Sequence, residues 1–419
     1  MHKMTTPTIV APGGSYQKAL TAARFWAEEV YMGVPFTSLR MRQNKILDFD
    51  ELKKTVDAVH SYWARAFLTM NIFPRNTDIK IFESTVERIS DVGADAIIFS
   101  DPWTFHILKK YLPNTHLHLS TQTSTLNYSA VKFWYDLWVK RVVLARELHI
   151  SEIAEIKKQV PDMELEVFVH WAMCMSYSGR CLLGDYMNWR PGNKWECSHA
   201  CRFKYKVFLE EDRRPWKLFQ IEEWENNTNY ILSSKDLCTI DRLAEILPYV
   251  DAMKIEGRSK SEFYVWAIVK AYKHVRDSIL NGTPIDENIK NLVNVIPHRE
   301  YWSGFLFNDL KDYPEGENLE SFTTKTSPGP LFNRNYFWII ESDFIEKEWK
   351  KYFKYSPKEV VEPGIQLQYL TPKTSWTLTI TDIINEKWKQ LEKGTCNTPD
   401  IYVTADCELE GGELLYTDK

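Results

Sequence analysis

The chain has 419 residues, 44% of them hydrophobic and 26% charged, with a formal net charge of −5. This is the balance of a soluble globular protein with room for two or three domains, or one large barrel and an appendage. It excludes a helical membrane span, because no apolar run approaches the roughly 20 residues that a crossing needs. It also supplies no general field for nucleic acid, so any RNA contact must rest on a local basic patch. The opening residues, MHKMTTPTIVAPGG, lack the basic segment, apolar core and cleavage site of a targeting signal, and the expected location is the cytoplasm.

Apolar segments alternate with helical periods from the start. Strands are expected at 7–11, 29–33, 66–72, 95–100, 116–120, 141–146, 164–170 and 251–256. Helices are expected at 15–25, 48–62, 78–91, 127–137 and 150–159, with Asp50, Asn127 and Ser151 as N-caps. Eight strands in this rhythm predict an α/β fold, a TIM-like (β/α)8 barrel. About 80 residues separate the seventh strand from the eighth, and a connection so long inside a compact domain is usually functional. The last barrel helix is expected at 259–280, followed by a polar tail to about 330 and a linker, TKTSPGPLF. Beyond it, NYFWIIE, IQLQYL, WTLTITDII and DIYVTADC alternate as short strands. The expected organisation is therefore a barrel over 1–330 with an insertion at about 171–250, then a small antiparallel β-barrel or sandwich over 331–419.

The insertion opens with four of the seven cysteines, Cys174, Cys181, Cys197 and Cys201, separated by six, fifteen and three residues. Gly179, Gly184 and the Pro191–Gly192 pair let the backbone fold back between them. Such a loop is a metal or cluster cage, a pair of disulfides, or a set of unliganded thiols. A chain of this length without a secretory signal does not need disulfide staples. Zinc knuckles usually enclose two to four residues, and the six-residue first interval favours an iron–sulfur cluster. Cys238 either replaces a ligand or is a buried thiol, the reading preferred here, while Cys396 and Cys407 fall in the terminal β-domain, far from the cage.

Strand C-termini converge on the active site of such a barrel. They carry Asn71, Asp101, Gln122, Arg146, Glu147, His170, Lys254, Glu256 and Arg258. Each could be half of a satisfied pair that holds a loop, yet six segments supplying one polar set argue for a site. Arg146, Lys254 and Arg258 suit carboxylates, with Asn71 and Gln122 as hydrogen-bonding neighbours. Arg40 and Arg42, in SLRMR after the second strand, either add basic character to the same rim or are solvated. Glu147, His170, Lys254 and Glu256 are the candidates for acid–base work, His170 being also a candidate cluster ligand or a hydrogen-bonding support for one. The β-domain, or Arg202 and Lys204 beside the last cysteines, could grip an RNA backbone. The chain holds no HExxH and no Gly-x-Ser-x-Gly elbow, so it is a poor peptidase by motif.

The run EVFVHWAMCMSYSGRC resembles the signature of peptidase family U32, with Trp171 where the family has glycine. CSHACRFKY, SSKDLC and MKIEGRSKSEFYV match further family blocks, as do SLRMR, NIFPRN, SDP, HLSTQTSTLN and RVVLARE upstream. The similarity covers nearly the whole chain and is close to the branch that hydroxylates the wobble uridine of transfer RNA at C5. That resemblance implies a [4Fe–4S] cluster on Cys174, Cys181, Cys197 and Cys201, prephenate as a dicarboxylate co-substrate, and transfer RNA as partner. Peptidase activity, the source of the family's name, is the alternative, and a zinc-stabilised RNA-binding module without catalysis is another.

The chain contains 16 Trp and 16 Gly. Trp26, Trp63 and Trp138 stand where a helix ends before a strand, and Gly93 holds the equivalent place at a fourth junction. That position calls for a left-handed residue and hence glycine. Trp171, Trp195 and Trp216 also stand in turn-like or family-glycine places, whereas Trp134 reads as ordinary core. The pattern is that of a gene whose UGA codons mean glycine, translated with a tryptophan table; an aromatic-rich core is the plainer alternative.

Overall fold

The computed structural model describes residues 6–38, 45–174, 176–188, 190, 200–202, 207–211, 214–221, 235–307, 334–347, 350–371, 375–398 and 401–418. Eight parallel strands form the first unit: β1 (Thr8–Pro12), β2 (Glu29–Gly33), β3 (Arg65–Met70), β4 (Ala96–Phe99), β5 (His116–Leu119), β6 (Arg141–Val143), β7 (Glu164–Ala172) and β8 (Ala252–Ile255). Each pairs with its neighbour in sequence order, and β8 pairs with both β7 and β1, which closes the barrel. All eight expected strands are present, and the expected TIM-like architecture is correct.

The helices lie outside: α1 (Tyr16–Arg24), α2 (Phe49–His60), α3 (Ile79–Ile89), α4 (Pro102–Tyr111), α5 (Tyr128–Asp136) and α6 (Ile150–Gln159), then the short α7 (Leu183–Asn188) in the insertion and the long α8 (Glu262–Asn281). Asn127 caps α5 by accepting from the Ala130 N–H. The other two expected caps are displaced by two residues. Asp48 rather than Asp50 caps α2, and His149 rather than Ser151 caps α6, where Glu152 completes a capping box. Asp101, placed with the site by its position at a strand end, instead caps α4 through the Trp103 and Thr104 N–H groups. Its carboxylate satisfies helix donors that would otherwise be orphaned.

Inside the barrel, Val10, Tyr31, Phe67, Ala96, Ile98 and Ala252 form an apolar layer. A buried charged network accompanies it. Arg141 reaches Glu29 at 3.0 Å, Glu166 at 3.1 Å and Glu164 at 2.9 Å, and Lys254 pairs with Glu166. Burial opposes the Arg141 charge, but its hydrogen bond to Glu29 and the surrounding carboxylates outweigh that cost and raise its pKa. The network ties β2, β6, β7 and β8 together across the barrel axis.

Past the end of β7 the short strand Asp236–Cys238 pairs with it in antiparallel fashion. The insertion between them includes α7, a turn at Ala200–Arg202 and a hairpin, Val207–Glu211 with Arg214–Ile221. The C-terminal unit is a closed antiparallel barrel of six strands: β9 (Arg334–Lys347), β10 (Lys350–Tyr355), β11 (Gln366–Leu370), β12 (Ser375–Asn385), β13 (Ile401–Ala405) and β14 (Leu414–Asp418). Closure leaves no free strand edge. Four of these strands carry the alternating pattern read in the sequence; β10, KKYFKY, is broken by lysines, and β14 is short and terminal. Tyr416 of β14 packs on Phe263 of α8 at 5.4 Å, so the small barrel is seated on the large one.

Trp26, Trp63 and Trp138 follow α1, α2 and α5 with φ of 69°, 62° and 65°, and Gly93 has φ 81°. Trp388, in a hairpin turn, joins them at φ 60°. Trp63 is 96% exposed and Trp138 83%, so neither ring offsets its backbone strain by burial. Trp134 packs on Phe99 and Phe105, and Trp266 is fully buried, as true tryptophans should be. Trp171 and Trp216 lie in strands, where left-handed backbone is not required, so the turn-like reading of Trp216 is corrected; Trp195 lies outside the described residues.

Candidate active site

A pocket opens at the C-terminal end of the barrel. Its wall includes Tyr31, Thr69, Asn71, Ser120, Gln122, Arg146, Phe168, Lys254, Glu256 and Arg258. The structure thus gathers Asn71, Gln122, Arg146, Lys254, Glu256 and Arg258 into one cavity. Glu147 and His170 are not in its lining, and Arg40 and Arg42 lie outside the described residues.

Each cation in the pocket is held from behind. Lys254 projects from β8, pairs with Glu166 and lies 4.4 Å from the Tyr31 ring centroid. Burial lowers its pKa, and the Glu166 charge works against that shift. Arg258 donates from Nη1 to Ser38 Oγ at 2.7 Å and to Thr69 Oγ1 at 3.0 Å. Its carbonyl oxygen accepts from Lys18 Nζ and lies so close to Gly14 that a Cβ there would approach it to 2.1 Å. Gly14 at the end of β1 is therefore a close-approach glycine. Asn71 donates to Ser120 Oγ at 3.3 Å, and that same hydroxyl accepts from the Gln122 N–H.

Arg146 links the pocket to the cysteine loop. Nη1 donates to the Ala172 carbonyl at 2.9 Å and lies 3.5 Å from Glu256. Nε and Nη2 both donate to Ser178 Oγ, at 3.2 and 3.1 Å. Glu147 accepts the Ser178 N–H on Oε1 at 3.1 Å, while its buried Oε2 has no hydrogen-bond partner among the described residues. Ser178 was not among the sequence candidates; its only signal is a small residue before Gly179 in the SYSG turn. Gly179 itself has φ 78°, and a Cβ there would come within 2.2 Å of the Gln122 carbonyl oxygen. The loop can lie flat on the β5 rim only with glycine at that point.

His170 turns away from the cavity. Lys254 stands opposite Phe168 but Ile255 opposite His170, a register shift between β7 and β8 that re-aims the side chain. The imidazole is fully buried beside Tyr272, whose hydroxyl lies 3.3 Å from Nδ1, and near Tyr301. Burial, with smaller effects from His298 and Lys260, lowers its pKa to about 3. Such a ring stays neutral near pH 7 and acts as packing and a hydrogen-bonding support rather than a pocket acid. Cys238 faces the same aromatic cluster, with Sγ 3.7 Å from the Tyr272 hydroxyl, and burial raises its pKa to about 11.

Of the four cage cysteines, Cys174 and Cys181 are brought into thiol–thiol contact; that contact first, and burial second, raise the Cys174 pKa, against the nearby Arg146 charge. Cys201 sits in the Ala200–Arg202 turn, and Cys197 lies outside the described residues, as do Lys204 and the Arg202 side chain. Among the described residues no three His, Cys, Asp or Glu side chains converge as a metal site. Cys174 and Cys181 fit two positions of a thiolate-held group. No described helix is long and apolar enough to cross a membrane.

The family model for peptidase family U32 matches residues 14–314. The chain belongs to peptidase family U32. Among its relatives, the tRNA hydroxylation protein P of Haemophilus influenzae is 35% identical over 361 residues, covering 76% of this chain and 78% of the relative. A collagenase of Porphyromonas gingivalis is 29% identical, with 78% of each chain covered. The 23S rRNA 5-hydroxycytidine C2501 synthase of Escherichia coli is 31% identical over 65% of this chain and 39% of its own length. Two of these three relatives are named for RNA hydroxylation.

Proposed function

We propose that this U32 family member is an RNA-modifying enzyme that hydroxylates the wobble uridine of transfer RNA at C5. The observation that carries the reading is the join between two features, the cationic pocket and the cysteine loop, made by Arg146 and Ser178. A hydroxylase needs a place to orient its co-substrate beside a redox centre, and the adjacency of the pocket and the cysteine loop supports that reading. Relatives named for tRNA and rRNA hydroxylation support an RNA base as the target. Among the described residues the pocket lining contains neither Cys nor His, so it offers no Cys–His pair for a peptidase mechanism at this place.

Cys174, Cys181, Cys197 and Cys201 would hold a [4Fe–4S] cluster, which supplies one-electron chemistry when bound. The protein's own part is orientation. Arg258 and Arg146 present guanidinium groups to carboxylates, so a small dicarboxylate such as prephenate is the co-substrate they suit. Lys254 adds a third positive group, and Asn71 and Gln122 offer neutral hydrogen-bonding groups in the same lining. Glu256, 3.5 Å from Arg146, is the pocket carboxylate placed to take or return a proton.

Nucleoside mass spectrometry tests the reading, using transfer RNA from a strain that lacks its own hydroxylase and carries this chain. Restored 5-hydroxyuridine is the expected result, lost in Cys174→Ala. An intact chain that restores none, though loaded with iron and sulfide, overturns the assignment. Iron, sulfide and zinc analysis of anaerobically purified protein separates the cluster from a zinc-stabilised RNA-binding module.

A further inference from the structure

Cations and aromatic rings alternate along the pocket wall. The Tyr31 ring centroid has Lys254 Nζ at 4.4 Å and Arg258 Cζ at 5.8 Å. The Phe168 centroid has Arg146 Cζ at 5.3 Å and the same Lys254 Nζ at 5.9 Å. The series is therefore Arg258, Tyr31, Lys254, Phe168, Arg146, and all five residues line the pocket. Each ring is shared by two cations.

Both rings are fixed by the barrel. Tyr31 is buried on β2, and its hydroxyl donates to the Ile255 carbonyl of β8 at 3.1 Å. Phe168 is half-buried on β7, opposite Lys254 and just before the register shift that turns His170 away. A deeper layer repeats the motif with a different charge balance. There Phe67 has Arg65 at 5.7 Å and Arg141 at 5.5 Å, and Glu29, Glu164 and Glu166 pair with those arginines. Among the described residues of the pocket lining, by contrast, three cations accompany a single carboxylate, Glu256.

Cations gathered in one cavity repel each other, the more so where water is scarce. An aromatic face is partly negative and attracts a cation within about 6 Å of its centroid. A ring shared by two cations thus draws on both while its bulk keeps them apart. Without the rings, Lys254 would settle on Glu166 and Arg146 on Glu256, which already stand beside them. Arg258 would then be left to meet a carboxylate largely by itself.

We propose that Tyr31 and Phe168 are positioning residues that hold Arg258, Lys254 and Arg146 as separate anion contacts, so that the pocket selects a dicarboxylate over a monocarboxylate. The inference rests on the co-substrate reading above and deepens it, by naming what makes the pocket respond to the number of charges.

Calorimetric titration of the full chain with prephenate and with phenylpyruvate, which keeps a six-membered ring but has one carboxylate fewer, tests the proposal. The natural chain should bind prephenate at least about tenfold more tightly than phenylpyruvate, the second carboxylate contact making the difference. Tyr31→Leu and Phe168→Leu should each cut that preference to about twofold, chiefly by weakening prephenate. Tyr31→Phe and Phe168→Tyr keep a ring and should keep the preference. The ratio is taken within each protein, so a partly unfolded variant lowers both affinities alike and leaves it readable. Phe168, half-buried at the cavity, is the position where leucine disturbs the fold least. Full preference in both leucine variants, or its loss in the ring-keeping variants as well, would overturn the positioning role and leave the dicarboxylate reading standing. Equal binding of both ligands by the natural chain would overturn the proposal alone, and binding of neither would overturn the co-substrate reading with it.

Discussion

Arg146 donates from both Nε and Nη2 to the single hydroxyl of Ser178, at 3.2 and 3.1 Å. The two residues belong to different sides of the site: Arg146 lines the pocket, and Ser178 stands between Cys174 and Cys181. Ser178→Ala should therefore loosen the thiol loop while leaving the barrel folded. A hydrogen bond to a charged group contributes about 1.5–3 kcal/mol, and the low end applies because Arg146 keeps its Ala172 partner. In metal-free protein, alkylation of Cys174 and Cys181 should speed up relative to exposed Cys396, as read by peptide mass spectrometry. Ser178→Thr should restore the slower rate.

Gly179→Ala should be worse than its single methyl suggests. The new Cβ would meet the Gln122 carbonyl at 2.2 Å, on a residue with φ 78°. We expect a stability loss on the order of 1–3 kcal/mol, together with reduced iron in anaerobically purified protein. Urea midpoints measure the first and metal analysis the second. A variant of native stability and full iron content would show that the loop is not seated on Gln122.

The buried network makes a larger prediction. Arg141→Met leaves Glu29 and Glu166, both fully buried, short of their main partner. Removing one member of such a group costs about 3–5 kcal/mol, because the remaining charge is uncompensated. Chemical denaturation should show that loss, and Glu166→Gln should show one too, since it takes from buried Lys254 and Arg141 the carboxylate they share. Equal stability of Arg141→Met and the natural chain would refute the account.

His170 gives a pH signature. Its folded pKa is about 3 against an ordinary 6.5, so between those values the unfolded chain binds a proton that the folded chain refuses. Stability should fall as pH drops below 6.5, by up to about 1.4 kcal/mol per pH unit from this residue. His170→Gln should flatten the slope between pH 6.5 and roughly 5, a window in which most carboxylates stay ionised. Glu166 acts further down the scale. Burial would raise its pKa, but Lys254 and Arg141 lower it overall, so its contribution is present above the ordinary carboxylate pKa and lost as pH falls through the folded one.

Trp26, Trp63, Trp138 and Trp388 divide from the other described tryptophans by backbone conformation. Replacing each with glycine should stabilise the chain by about 1 kcal/mol, as left-handed strain is relieved. Trp134→Gly and Trp266→Gly should destabilise it, the second by several kcal/mol because that ring is fully buried. Peptide mass spectrometry of the protein from its native host should find glycine at the four left-handed positions. Tryptophan at those positions would end the recoding explanation.

Much of this molecule is legible in its sequence because the deciding interactions are local. Strand and helix periods depend on neighbours a few residues away, so the eight-strand barrel and the ends of α1, α2 and α5 were readable, and with them the left-handed places of Trp26, Trp63 and Trp138. Six polar residues at strand ends met in one pocket because barrel closure brings all strand C-termini to one face. What needed the tertiary structure was the choice of partner across long separations. Ser178 looks like any turn serine until β6 and the loop after β7 set it against an arginine 32 residues earlier. Asp101 had two equally local uses, a pocket or a helix cap, and the backbone of α4 decided for the cap. His170 sits at a strand end like Lys254, and only the one-residue shift between β7 and β8 turned it from the cavity into the aromatic cluster. Periodicity is a property of the chain, but which face a side chain ends on is fixed by register, and register is set between strands.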